Sequence, residues 1–97
     1  MPNKILFNKD FPSIKKSDEL YEKALNLIPC TTQTLAKGPQ QNVKGIAPKY
    51  LLKGKGSHVW DVDENEFIDF NMAIGPLSLG YAYDKVDDAI KKQLEDG

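Results

Sequence analysis

The run of residues 59–80, VWDVDENEFIDFNMAIGPLSLG, most constrains what this chain can fold into. Polar and apolar residues alternate on both sides of the acidic stretch 63–66, and a period of two is typical of half-buried strands. Asp and Asn side chains bond their own backbone in turns, so this stretch predicts the turn of a β-hairpin. Gly75, Pro76 and Gly80 then predict a loop after the second strand.

Two amphipathic helices are predicted outside the hairpin. The first starts at Ser17, whose hydroxyl suits an N-cap, and it stops before Pro29. The second is predicted to start at Asp84, because the Asp side chain is a favourable N-cap. Apolar residues recur at helical spacing at Leu20, Ala24, Leu27 and Ile28 in the first helix, and at Val86, Ala89, Ile90 and Leu94 in the second.

A long loop and one more strand complete the predicted architecture. From residue 30 to residue 48 the composition shifts to Thr, Gln, Gly and Pro, which predicts a loop. Residues 50–53 predict a short strand that turns at 54–56 and joins the hairpin as a three-stranded antiparallel meander. Residues 1–16 carry no clear period and are expected to be a flexible N-terminal arm. The predicted fold class is α+β, with 17–97 as one segment.

The overall composition excludes several classes of function. Thirteen basic and fourteen acidic residues leave a net charge of -1, so nothing in the charge favours binding to nucleic acid or to an anionic membrane. A single cysteine, Cys30, cannot form an internal disulfide. No apolar run approaches the roughly 18 residues of a membrane-spanning helix. A cytoplasmic location is expected.

Three local motifs imitate reactive sites, but each is incomplete. Residues 61–65 resemble the opening of an EF-hand loop, but Glu66 and Met72 stand where that loop needs Gly and a bidentate Glu. Residues 54–57 lack the spacing of a phosphate-binding loop and precede a strand. His58 has no catalytic partner at a recognisable spacing. The residues alone predict no catalytic centre, and the aromatic and apolar strand residues are expected to form a core: Trp60, Phe67, Ile68 and Phe70.

Residues 58–83, HVWDVDENEFIDFNMAIGPLSLGYAY, resemble the N-terminal signature of class III (fold-type I) pyridoxal-phosphate (PLP) aminotransferases. In that family a DVDGNEYIDY hairpin leads into a GP-x-x-LGH loop and then a helix. The glutamate-1-semialdehyde aminomutase-like enzymes are the most similar group. The same family pattern is also matched by four shorter stretches: residues 27–29, 33–34, 37–39 and 47–48. The resemblance extends over 17–97 and implies part of a PLP-transferase fold rather than a complete domain.

The resemblance also implies roles for individual residues. Thr34 and Lys37 match a hydroxyl residue and an arginine that face the substrate carboxylate in the aminomutases, although an ammonium cannot form the planar bidentate pair of an arginine. Ala73, Ile74 and Gly75 match a Ser-Trp-Gly stretch that lines the substrate pocket, where Ile74 would widen the pocket. None of the lysines stands in the family's Schiff-base context, so no catalytic, cofactor-binding or metal-binding residue is expected.

Further positions depart from the family pattern, among them Asp84, which replaces a common proline. Cys30 and Thr31 replace a Gly-Gly pair, which would stiffen that loop. Glu64 replaces the glycine of the hairpin, which makes a type I′ turn harder to form. Tyr81 stands where many members have histidine.

The resemblance implies an enzyme that moves an amino group between an amino acid and a carbonyl compound, with aminomutase and aminotransferase both open. We expect the chain to be the N-terminal part of such an enzyme, contributing substrate-mouth and dimer-interface residues and inactive alone, with PLP held elsewhere. The expected partners are the remainder of the enzyme, a second subunit, and a small amino or keto substrate. The alternative is a non-catalytic α+β module for interaction or dimerisation.

Overall fold

The elements follow the predicted order in the computed structural model, which describes residues 10–43 and 45–97. Helix α1 spans Lys15–Leu27, and helix α2 spans Asp84–Leu94. Strands β1 (Leu51–Lys55), β2 (His58–Asp61) and β3 (Glu66–Ile68) form one antiparallel sheet in the order β1-β2-β3. The α+β class and the meander are therefore confirmed. Most of the expected N-terminal arm, residues 1–9, lies outside the described residues.

The register of the sheet turns one side of β2 toward the interior. Val59 pairs with Gly54 in β1 and with Phe67 in β3. Val59 and Asp61 are buried, whereas the residues between and beside them are only half-buried, as the period of two predicts. The turn predicted at 54–56 lies further along the chain, because Gly54 and Lys55 still pair with β2.

The carboxylate of Asp61 organises the hairpin turn. Its Oδ1 accepts hydrogen bonds from the amides of Asp63 at 3.0 Å and of Asn65 at 2.8 Å, and its Oδ2 accepts one from Asn65 Nδ2 at 2.9 Å. Asp61 is 0% exposed, and a buried carboxylate is stable only when its oxygens are satisfied in this way. Glu64 takes the left-handed conformation, with φ 69°, in the position where the family pattern has glycine.

The same turn caps helix α1, which begins at Lys15 rather than at Ser17. The prediction of Ser17 as N-cap is wrong, because Asp63 supplies the acceptors instead. Asp63 Oδ1 accepts the Lys16 amide at 2.7 Å, and its Oδ2 accepts the Ser17 amide at 2.9 Å. First-turn amides have no partner within the helix and favour a negative charge. The distant carboxylate therefore joins α1 to the sheet, and the expected arm overlaps α1 at residues 15 and 16.

Helix α2 also lacks the predicted cap. Tyr83 occupies its N-cap position, and no side chain bonds to the first-turn amides there. The Asp84 carboxylate instead accepts a hydrogen bond from Lys55 Nζ at 2.8 Å. Lys55 Nζ also donates to the carbonyl of Ala82 at 2.7 Å, so strand β1 holds the chain just before α2.

Little apolar surface is buried within the described part of the chain. The buried hydrophobic residues there are Ile14, Ala24 and Val59. The prediction of a core made of Trp60, Phe67, Ile68 and Phe70 is wrong: the first two are half-buried, and the others are 57% and 87% exposed. The helices likewise expose large apolar side chains: Leu20, Leu25 and Leu27 in α1, and Val86, Ile90 and Leu94 in α2. Ile28, which directly follows α1, is also exposed.

The loop predicted over residues 30–48 is confirmed as three short 3₁₀ turns, Pro29–Thr31, Leu35–Lys37 and Pro39–Gln41. Pro29 ends α1 as expected. Cys30 and Thr31 both have positive φ, 56° and 60°, where the family pattern has glycines. Among the described residues, no helix combines the length and the apolar character that crossing a membrane requires.

We predict that Asp63→Ala frays the start of α1. Burial works to raise the pKa of Asp63, but hydrogen bonds from the Lys16 and Ser17 amides outweigh it, so the pKa is lowered. The stabilisation is therefore complete above the ordinary pKa of 3.8 and is lost as the pH falls through the lower folded-state value. Hydrogen exchange measured by mass spectrometry should be several-fold faster at residues 15–18. Glu64→Ala, in the same turn, is the matched control, and equal exchange in both variants would contradict the cap.

We predict that Glu64→Gly slows local opening of the hairpin. A non-glycine residue with φ near 69° pays about 1 kcal/mol or more for the left-handed conformation, and glycine avoids most of that cost. A gain of about 0.5–1 kcal/mol corresponds to roughly two- to fivefold slower exchange of the Asn65 amide. Glu66→Gly, in strand β3, should have the opposite effect. Faster exchange in Glu64→Gly would show that the side chain, not the backbone, stabilises the turn.

Candidate functional site

A cavity of about 370 Å³ brings together two of the residues to which the resemblance gives a role. Lys37 reaches it from the loop after α1, and Ala73 reaches it from the loop after β3. Val59 and Phe67 supply part of an apolar wall from the sheet. Two segments far apart in sequence therefore meet over the inner face of the meander.

The other three residues lie outside the lining of this cavity. Thr34 is half-buried and shares a turn with Lys37, whose amide donates to the Thr34 carbonyl at 2.9 Å. Ile74 and Gly75 follow Ala73 directly, but neither residue lines the cavity. The Ile74 side chain is 56% exposed. The roles expected for these residues stay predictions.

The two lysines at the cavity differ in how far they are engaged. Lys49 forms an ion pair with Asp18 of α1, its side chain is 10% exposed, and its ammonium lies 5.8 Å from the centre of the Tyr21 ring. Lys37 is exposed, and no acidic side chain in the described part of the chain pairs with it. Lys37 is therefore the lysine whose charge is available to an anion in the cavity.

A strained stretch, residues 72–75, follows the sheet and carries Ala73 to the cavity. Four successive residues there have positive φ: Met72 at 49°, Ala73 at 54°, Ile74 at 66° and Gly75 at 107°. Each non-glycine residue in this region costs about 1–2 kcal/mol, and a β-branched residue such as Ile74 is rarely found there. We call residues 72–75 the left-handed turn. Such strain persists only where the surroundings hold it, and it is concentrated at functional sites.

Asp69 and Tyr81, two cavity residues to which the sequence assigned no role as a pair, form a close contact. The Tyr81 hydroxyl donates to Asp69 Oδ2 at 2.7 Å. Burial, together with this bond and the negative charge of Asp69, raises the pKa of Tyr81 to about 12. Burial works to raise the pKa of Asp69, but the bonds from Tyr81 and from the Met72 and Asn71 amides outweigh it and lower the pKa.

Glycines let the Tyr81 segment approach β1 closely. A Cβ atom at Gly54 would lie 2.4 Å from Cγ of Tyr81, so only glycine leaves room for the ring there. Gly56 and Tyr81 exchange two backbone hydrogen bonds, at 2.9 and 2.8 Å. A Cβ atom at Gly80, whose φ is 80°, would lie 2.7 Å from the Gly56 carbonyl oxygen. The alternation of Asp69 and Asn71 with apolar residues was visible in the sequence, but the hydrogen bonds of Asp69 to backbone amides and to Tyr81 were not.

His58 lies in strand β2, as expected, with Nε2 3.8 Å from a Glu66 carboxylate oxygen. Cys30 is exposed and is not part of a disulfide. Across the described ranges, no group of three or more His, Cys, Asp or Glu side chains has the placement to hold a metal ion.

Alkaline titration of the protein should contain one ionisation near pH 12 that belongs to Tyr81. Because the pKa is raised, the stabilisation from the neutral phenol is complete below its ordinary value of 10.0 and is lost as the pH rises through about 12. Tyr81→Phe should remove this ionisation from the tyrosinate absorbance, whereas Tyr83→Phe should leave it. Its survival in Tyr81→Phe would exclude the assignment.

Comparisons with known proteins relate the chain to PLP enzymes. No protein-family model matches it. The chain is 40% identical over 83 residues to the glutamate-1-semialdehyde 2,1-aminomutase of Fusobacterium nucleatum subsp. nucleatum, a match that covers 86% of this chain and 19% of that protein. It is 39% identical over 82 residues to the 3-aminobutyryl-CoA aminotransferase of Cloacimonas acidaminovorans, covering 84% of this chain and 20% of that protein. The chain thus spans about a fifth of the length of the curated relatives that it matches.

Solved structures agree with these relatives. The FumI protein of Sphingopyxis sp. MTA144, solved in its PLP internal aldimine form, superimposes with a TM-score of 0.76 and 26% identity, over 86% of this chain and 20% of that one. The expected α+β part of a PLP-transferase fold is confirmed. By sequence and by fold, the chain is similar to part of the glutamate-1-semialdehyde 2,1-aminomutases and to part of solved PLP-dependent transaminases.

Proposed function

We propose that the chain forms one layer of a PLP-dependent enzyme that moves an amino group between an amino acid and a carbonyl compound. The observation that carries this proposal is the cavity in which Lys37 and Ala73 meet. The resemblance assigns both positions to the substrate side of the family's active site. In this proposal the layer covers the mouth of the site and contributes residues to it, and it does no chemistry alone.

The charge of Lys37 suits it to hold the carboxylate of an amino acid or keto acid. The Lys49 ammonium is paired with the Asp18 carboxylate, whereas Lys37 has no ion-pair partner among the described residues. Both oxygens of the Asp69 carboxylate already accept hydrogen bonds from neutral donors. The apolar wall that includes Val59 and Phe67 offers contact to the carbon skeleton of the substrate. An ammonium attracts a carboxylate as a point charge and fixes its orientation less than a guanidinium does.

PLP would supply the electron sink of the reaction, and the described residues do not fit a PLP site by themselves. Such a site needs a lysine enclosed with the cofactor and an acidic partner for its ring nitrogen. Here Lys49 is paired with Asp18, Lys37 is exposed, and Asp69 is bonded to Tyr81 and to backbone amides. We therefore propose that other parts of the enzyme hold PLP.

The exposed apolar faces of the helices support the proposal that a larger partner covers this chain. Helix α2 presents Val86, Ile90 and Leu94, which are 42%, 54% and 73% exposed. Faces of this kind are typical of surfaces that are covered in an assembly. We propose that the remainder of the enzyme and a second subunit cover them, in the cytoplasm. A non-catalytic interaction or dimerisation module would share these faces, but it gives no reason for Lys37 and Ala73 to meet.

Substitution of Lys37 tests this proposal in the enzyme that carries the segment. With PLP, amino acid donors and keto acid acceptors, Lys37→Ala should raise the KM for the carboxylate substrate about tenfold or more, with a smaller change in kcat, because a charge-assisted contact is lost. Lys37→Arg should keep or improve KM, since a guanidinium binds a carboxylate at two points.

Lys53 is the matched control, because its ammonium lies 4.9 Å from the centre of the Trp60 ring, and Lys53 does not line the cavity. Lys53→Ala should leave KM within about twofold of the parent value. An unchanged KM in Lys37→Ala would overturn the proposed role of this residue. Complete lack of transamination by the parent enzyme with every donor tested would overturn the proposed function.

A further inference from the structure

The loop between β3 and α2 is closed by one side chain at its start. Asp69 Oδ1 accepts the Asn71 amide at 2.8 Å and the Met72 amide at 3.1 Å. Its Oδ2 accepts the Tyr81 hydroxyl at 2.7 Å. One carboxylate thus bonds both the entry to the left-handed turn and the far end of the loop.

The two amides that Asp69 binds lie where the backbone changes hand. Asn71 is right-handed, with φ -75° and ψ -34°, and Met72 is left-handed. Consecutive residues of opposite hand direct their amides into one concavity that favours an anion. In this chain the anion is the Asp69 side chain itself, so the concavity is filled from within.

The left-handed turn carries its own internal hydrogen bonds, and none of its backbone hydrogen bonds reaches a strand among the described residues. The Ile74 amide donates to the Asn71 carbonyl at 2.8 Å and to Asn71 Oδ1 at 3.2 Å. Asp69 itself is fixed, because its amide donates to the Ser57 carbonyl beside β2 at 2.8 Å. The position of the turn relative to the sheet is therefore set through Asp69.

The far end of the loop is equally well fixed. Tyr81 exchanges two backbone hydrogen bonds with Gly56, and Lys55 Nζ holds the Ala82 carbonyl at 2.7 Å. Gly54 leaves room for the Tyr81 ring. The backbones of Asp69 and Tyr81 are thus both hydrogen-bonded to the connection between β1 and β2. The left-handed turn lies between these two residues in the sequence.

We propose that Asp69 is a positioning residue, which with Tyr81 holds the left-handed turn in place and so sets where Ala73 stands relative to Lys37 in the cavity. This inference rests on the proposed function, because the position of Ala73 matters only if substrate binds there. Asp69 itself contacts backbone amides and Tyr81, and acts on the site through them.

Hydrogen exchange by mass spectrometry tests the positioning directly, in the enzyme that carries the segment. Asp69→Ala should speed exchange of residues 71–75 about tenfold, because two amides lose a charged acceptor. Asp69→Asn keeps an oxygen for those amides and should stay within about threefold of the parent. Tyr81→Phe should give an intermediate increase, and it keeps the ring in the space that Gly54 leaves.

Tyr83→Phe is the matched control, since it removes the same hydroxyl from an exposed tyrosine two residues away. It should leave exchange of residues 71–75 unchanged. Unchanged exchange in Asp69→Ala would overturn the inference. Equal acceleration in residues 71–75 and in α1 would also overturn it, because that result indicates general destabilisation rather than local positioning.

Kinetics separate this inference from the proposed function. In an active enzyme, Asp69→Ala should lower kcat/KM for the carboxylate substrate, and Asp69→Asn should restore most of it. Faster exchange without any change in kcat/KM would overturn the positioning role and leave the proposed function intact. An enzyme without transaminase activity would overturn the proposed function, whatever the exchange data show.

Discussion

The buried carboxylate of Asp61 is the interaction on which the rest of this structure depends. A carboxylate at 0% exposure is unfavourable unless its oxygens are bonded, and here the backbone and side chain of the hairpin turn satisfy them. The turn that results places Asp63 beneath the first turn of α1 and directs Asn65 Nδ2 to the Ser13 carbonyl at 2.7 Å. Helix α1 thus depends on the conformation of the hairpin turn that Asp61 holds.

A second carboxylate that binds backbone amides lies at the cavity, where Asp69 accepts hydrogen bonds from two amides and from Tyr81. Bonds of this type hold the backbone without a large apolar core, and only Ile14, Ala24 and Val59 are buried hydrophobic residues in the described ranges. They also keep the strained residues 72–75 in one conformation beside Lys37. We infer that the segment is shaped by side-chain-to-backbone hydrogen bonds, and that its apolar faces serve contacts with other parts of an enzyme.

The sequence predicted the parts of the fold that depend on local pattern. Periodicity located both helices and the meander, and Pro29 correctly ended α1. The predicted caps, Ser17 and Asp84, were wrong because distant partners, Asp63 and Lys55, decide those helix starts. The prediction of a core in the strands was wrong because no described residue covers the side chain of Phe70, which stays 87% exposed. Lys37 and Ala73 came from the family resemblance, whereas Asp69 and Tyr81 required the three-dimensional closure of their loop.

Calorimetry of the isolated 97-residue chain, with binding of a hydrophobic dye measured in parallel, tests the central claim most directly. A layer that needs a larger body to cover Val86, Ile90 and Leu94 should bind the dye strongly and unfold without a sharp heat-absorption peak. A single cooperative transition with equal calorimetric and van't Hoff enthalpies, and with little dye bound, would contradict it. That result would identify a self-sufficient module.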